Sequence, residues 1–83
     1  MPRLLKIEPR DGFRLYLEFA DGITGEVELK DELWGPVFEP LRDPAEFAKV
    51  TLDDFGAPCW PNGADYAPDA AYLALRRKGE GAA

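Results

Sequence analysis

Histidine, serine and glutamine are absent from this 83-residue chain, and cysteine occurs once, at Cys59. Those absences exclude a Ser-His-Asp triad, a Cys-His dyad and any metal site that relies on imidazole. A lone cysteine closes no internal disulfide, and a secreted domain of this size is usually stapled by several, so the expected compartment is the reducing cytoplasm. Cys59 lies in Ala57-Pro58-Cys59-Trp60 with no cation beside it, which reads as a small buried hydrophobe rather than a reactive thiol. No window approaches the roughly 20 apolar residues of a membrane span, and Met1-Pro2-Arg3-Leu4-Leu5-Lys6 lacks the apolar stretch of a signal peptide. Positive charge is scarce as well. Ten Lys and Arg stand against 16 Asp and Glu, a formal charge of −6, so a broad nucleic-acid-binding face, which must neutralise phosphates, is disfavoured.

What is present is 46% hydrophobic and 12% aromatic, enough for one small core and one domain, expected over residues 1–78 with 79–83 as a flexible tail. Leu5 and Ile7 alternate with Lys6 and Glu8 as a half-buried strand does. After the Asp11-Gly12 turn, Phe13, Leu15, Leu17 and Phe19 fall at strict period two. Asp21-Gly22 predicts a two-residue type I′ loop, and Ile23, Val27 and Leu29 the inward side of the return strand, with Gly25 marking a bulge. Two prolines between Lys30 and Leu41 leave room for a single helical turn or an irregular crossing whose aromatics cover an edge of the core. Asp43, Pro44 and Glu46 form a helix start with a capping box, predicting about two turns. Val50–Phe55 and Ala57–Trp60 read as a second hairpin, Pro61-Asn62-Gly63 as a tight turn, and Pro68–Lys78 as a helix closed by Gly79. The order predicts an α+β fold: a small antiparallel sheet of about four to five strands with two short helices packed on it.

Four strings then appear in order: Phe19-Ala20-Asp21-Gly22; Gly35-Pro36-Val37-Phe38; Leu41-Arg42-Asp43-Pro44 with Phe47; and Trp60-Pro61-Asn62-Gly63-Ala64-Asp65 running on to Tyr72. With these the chain resembles domain of unknown function 2442, a family of small prokaryotic α+β proteins, over roughly residues 3 to 72. The resemblance implies no established catalytic residues. It implies a suspected toxin–antitoxin pairing with a second small protein, and in longer members a C-terminal helix-turn-helix domain. This chain ends at Ala83, so that DNA-binding role does not carry over, and Ala67 stands where many relatives place a helix cap.

Charge patterning supplies the functional expectation. Residues 15–75 hold thirteen acidic and three basic side chains, and such a field of one sign steers a basic partner as readily as it solvates a surface. The expected role is a non-catalytic, cofactor-free protein-interaction module, antitoxin-like, whose acidic belt masks a small basic toxin. The alternative is a regulatory ligand-sensing or DNA-associated domain. Candidate partner-binding residues are Glu26, Glu28, Asp31, Glu32 and Asp54 for charge, and Tyr16 and Trp34 as surface aromatics. Trp60, Asn62 and Asp65 join them as a possible recognition turn, although Asn62-Gly63 also suits positive φ and Asp65 could cap the helix at Pro68. Paired carboxylates here lack the spacing of a known metal loop. Short sheets leave edge strands, so a homodimer is expected.

Overall fold

Period-two burial is the organising feature of the chain's first third. The computed structural model describes residues 2–82, and the side chains of residues 2–77. Strands β1 (Leu4–Arg10), β2 (Arg14–Phe19) and β3 (Thr24–Glu28) form an antiparallel meander in the order β1-β2-β3. Leu15 and Leu17 are fully buried and Phe19 nearly so. Their neighbours Arg14, Tyr16 and Glu18 stand on the opposite face.

Beyond the meander come the 3₁₀ turns Lys30–Glu32 and Glu39–Arg42 and helix α1 (Pro44–Phe47). The hairpin strands β4 (Thr51–Leu52) and β5 (Pro58–Cys59) and helix α2 (Pro68–Ala82) follow. The fold is a small α+β domain with two helices packed on antiparallel strands. Those strands are not one continuous sheet: β4 and β5 pair with each other and not with the meander, so the described strands divide three and two. The core gathers Leu15 and Leu17 from the meander, Leu29, Leu33 and Leu41 from the irregular crossing, and Trp60. Arg42 fastens the crossing by donating from Nε to the Leu33 carbonyl at 2.6 Å.

Several local expectations are corrected. Leu4, not Leu5, faces inward: the register shifts between Leu4 and Lys6, so Leu5 is the extra residue of a bulge and is left exposed. Phe13 is not the first strand residue but a turn residue with φ 58°; its ring still reaches the core, edge-on to Phe47 at 5.5 Å. Gly25 marks no bulge, because β2 and β3 pair in unbroken register through Leu17 opposite Gly25. Its function is clearance, since a Cβ there would lie 2.9 Å from Leu75 Cδ2 of α2.

The Asp21-Gly22 loop has three residues rather than two. The Phe19 N–H donates to the Ile23 carbonyl, the Gly22 N–H donates to the Phe19 carbonyl, and Gly22 has φ 92°. This is a type I turn closed by a left-handed glycine. The same frame recurs at Trp60–Ala64, with Gly63 at φ 92°, and at Asp53–Ala57, with Gly56 at φ 79°.

Helix α1 is one turn long, not two. Asp43 caps it by accepting from the Ala45 N–H, but Glu46 pairs with Lys49 at 2.9 Å, while the Asp43 N–H turns to the Pro40 carbonyl, so no reciprocal capping box forms. Helix α2 passes through Gly79 to Ala82. A glycine inside a helix costs about 1 kcal/mol and does not by itself end it. Met1 and Ala83 lie outside the described residues, as does the Lys78 side chain invoked for the helix dipole.

Candidate interaction surface

The open face of the meander is a charge mosaic. Glu26 on β3 accepts from Arg10 at 3.0 Å and from Arg14 at 3.1 Å, Arg10 also approaches Glu8 at 3.9 Å, and Lys6 stands 4.0 Å from Glu18. Tyr16 sits opposite Glu26, with the Arg10 guanidinium 4.5 Å from its ring centroid. A hydrogen bond to Glu18 pushes the Tyr16 hydroxyl's pKa up. Cations from β1 and β2 therefore compensate this face, and Glu26 is committed to two arginines.

The acidic surplus collects at the other border of β3, where the strand is the edge of its sheet. A half-open cleft of about 250 Å³ is lined there by Glu26, Val27, Glu28, Glu32, Tyr66 and Ala74. A second cavity of about 200 Å³ adjoins it, sharing Glu32 and Tyr66 and otherwise walled by Leu29, Leu33 and Phe38. Glu28 and Glu32 have no ion pair among the described residues. Half-burial pushes the Tyr66 hydroxyl's pKa up, and the negative charge of Glu32 adds to the shift. Glu28 also borders a second, wider opening with Asp11, Gly12, Arg14 and Lys30, and stands opposite Arg14 in the strand register, so cations flank one side of it, whereas neither cavity lined by Glu32 has a cation in its wall.

Of the sequence candidates, Glu26, Glu28 and Glu32 thus meet in one cleft, with Asp31 exposed beside Glu32. Trp34 is exposed, with 69% of its surface accessible, and does not cover the core; Phe38 from the same crossing packs against it. Asp54 lies on the exposed turn before Phe55, away from the cleft. Cys59 is half-buried, its Sγ 3.7 Å from Thr51 Oγ1.

Trp60 is not a surface aromatic. It is buried, and Nε1 donates to the Phe47 carbonyl at 2.9 Å. Asn62 is exposed but occupied, accepting from the Ala64 N–H and donating from Nδ2 to the Val37 carbonyl at 2.8 Å. Asp65 bridges backbone with Cys59, and its carboxylate makes no hydrogen bond to the helix start among the described residues. Tyr66, Phe38 and Ala74 are cleft residues that sequence reasoning missed. The available signal was alternation, since Ala64 is buried, Asp65 exposed and Tyr66 half-buried.

The four strings singled out in the sequence are tied together in space. Tyr72 donates from its hydroxyl to Asp21 at 2.5 Å and stacks edge-on to Phe19 at 5.0 Å. Asn62 holds Val37; Trp60 holds Phe47 and packs edge-on to Phe38 at 6.4 Å. A family model described as "Protein of unknown function (DUF2442)" matches residues 4–76. The chain belongs to this family. In this DUF2442 protein the matched span runs from the first strand into α2 and takes in both the tied strings and the cleft. No curated protein and no solved structure matches it. Among the described residues no group of three or more Asp, Glu, Cys or His side chains is placed to hold a metal ion, and no helix is long and apolar enough to cross a membrane.

Proposed function

We propose that this DUF2442 protein is a non-catalytic protein-interaction module that engages a basic partner at the acid-rimmed cleft beside β3. One observation carries the reading. Basic side chains compensate Glu18 and Glu46 elsewhere on the surface and Glu26 within the cleft, whereas Glu28 and Glu32 line that cleft without an ion pair among the described residues. Uncompensated charge of one sign beside exposed apolar wall steers an oppositely charged protein and fixes its orientation. A toxin with a basic active or RNA-binding surface, masked in the reducing cytoplasm, is a partner of this chemistry, and the pairing implied by the family resemblance supports it.

The test is affinity capture of the tagged chain from its native lysate at low and high salt, with co-purifying proteins identified by mass spectrometry. A stoichiometric small basic protein released by high salt is the expected result, because exposed charge pairs are screened within about 10 Å at 0.1 M salt. Recovery of the chain alone under both conditions overturns the reading. Light scattering of that sample measures whether a homodimer forms through a free sheet edge.

A further inference from the structure

We infer that the two cavities meeting at Glu32 and Tyr66 recognise an extended segment of the partner through two side chains on one face of that segment, one apolar and one basic, spaced i and i+2. The inference rests on the interaction-module reading and specifies what the cleft selects. The cavities differ in chemistry. One is walled by Leu29, Leu33 and Phe38, and an aliphatic side chain entering it removes apolar surface from water on both partners. The other is lined by Glu28 and Glu32 together with Val27, Ala74, Tyr66 and Glu26, the last already held by Arg10 and Arg14.

A guanidinium suits the second cavity better than an ammonium. Its planar fork binds carboxylates in parallel pairs and stacks on an aromatic ring, and it is the less strongly hydrated cation. The spacing follows from the shared wall. Side chains at i and i+2 of an extended chain point the same way about 6.6 Å apart. That places two neighbours in cavities separated by one layer of side chains, Glu32 and Tyr66. A helix would need i and i+3 or i+4 and a wider trough. Because β3 is a sheet edge, an extended segment also has a strand to run beside. Phosphate-bearing ligands are disfavoured by the same carboxylates.

The probe is a pair of synthetic heptapeptides, Gly-Thr-Leu-Thr-Arg-Thr-Gly and its reverse order, capped at both ends. Each is titrated to millimolar concentration against the ¹⁵N-labelled full chain. The expected result is that one order shifts the amide signals of Glu28, Glu32, Leu33, Tyr66 and Ala74, while replacing the peptide arginine by glutamate, or its leucine by glycine, abolishes the response. Glu32→Gln is expected to weaken binding of the arginine peptide by up to about fivefold, the upper end of the range of an exposed charge pair. Absence of shifts in both orders, or an equal response to the glutamate control, overturns the inference.

The captured partner separates the two levels of claim. If a captured partner is lost with the Glu28→Gln/Glu32→Gln variant while neither peptide order shifts the cleft amides, the two-cavity inference falls and the module reading stands; if the partner still co-purifies with that variant, the cleft is not its docking site and both fall. If no partner is captured at all, the module reading itself falls.

Discussion

Gly25 offers the most direct test of how this fold is assembled, because the Cβ it lacks would sit 2.9 Å from Leu75 Cδ2 and 4.0 Å from Leu75 Cγ. Leu75 is 6% exposed and cannot swing into solvent without leaving the core. Gly25 also has φ 153°, a backbone setting that side chains rarely adopt. Gly25→Ala therefore carries two costs: overpacking, typically about 1–3 kcal/mol, and backbone strain, about 1–3 kcal/mol. Taking about 3 kcal/mol together, and about 4–8 °C per kcal/mol for a domain of this size, Tm should fall by about 12–24 °C. Urea unfolding followed by the fluorescence of buried Trp60 gives the free energy directly. Leu75→Val divides the sum. It shortens the clashing branch at about 1 kcal/mol of its own, and in that background Gly25→Ala should cost about 1–2 kcal/mol less than in the parent. Equal costs in the two backgrounds would refute the close-approach account, and a neutral Gly25→Ala would refute the strain account too.

The remaining predictions concern the ties between segments. Tyr72 donates to Asp21, and that bond raises the Tyr72 pKa while lowering that of Asp21. For Tyr72 the stabilisation is present below about pH 10 and lost as pH rises through its raised folded value; for Asp21 it is present above about pH 4 and lost as pH falls through its lowered one. Tyr72→Phe should therefore lower the urea midpoint at pH 7 and flatten its fall at both extremes; an unchanged pH profile would count against the bond. Asn62→Ala should cost about 1–2 kcal/mol, because both the Ala64 N–H and the Val37 carbonyl lose a partner, and Asn62→Asp should recover only the first share. Glu26→Gln should cost no more than about 1 kcal/mol, and less still in 1 M salt, since both of its arginines are part-exposed; a larger or salt-independent loss would mean the mosaic is not held by charge.

Much of the fold was legible because its signals are local. Leu15, Leu17 and Phe19 declare a strand by alternation, and Asp43-Pro44 declares a helix start by the chemistry of one side chain and one fixed φ. The misreadings share a cause: each depended on a partner that the local sequence does not contain. Leu4 and Leu5 are equally good inward residues until Phe19 is set opposite Leu4, which makes Leu5 the bulge. Asp21-Gly22 suits both a two-residue and a three-residue loop, and only the pairing of Phe19 with Ile23 distinguishes them. Gly25 resembles any weak point in a strand until α2 lays Leu75 over it. Gly79 resembles a helix stop, yet a stop requires a left-handed backbone, and α2 keeps its helical path through that position.

The same distinction applies to the candidate site and explains why the most conspicuous string misled. Trp60 and Asn62, beside a tight turn, and Tyr72, in α2, draw the eye because each is a chemically rich residue, but each spends its polar atoms inside the molecule, on Phe47, Val37 and Asp21. In this chain the strings that carry the family resemblance are thus a set of braces that join the meander, the crossing and α2. The cleft is built from plainer residues, Glu28, Glu32 and Leu33, and from Tyr66, which the braced turn at Trp60–Ala64 delivers to the β3 edge. Phe38 belongs to both, packing on Trp60 and walling the apolar cavity, but the polar atoms of the two sets are distinct, so they are separable by experiment. A change in a brace should move the unfolding midpoint first and affect binding only through the folded fraction. A change at Glu32, which makes no ion pair among the described residues, should alter binding with the unfolding curve left in place.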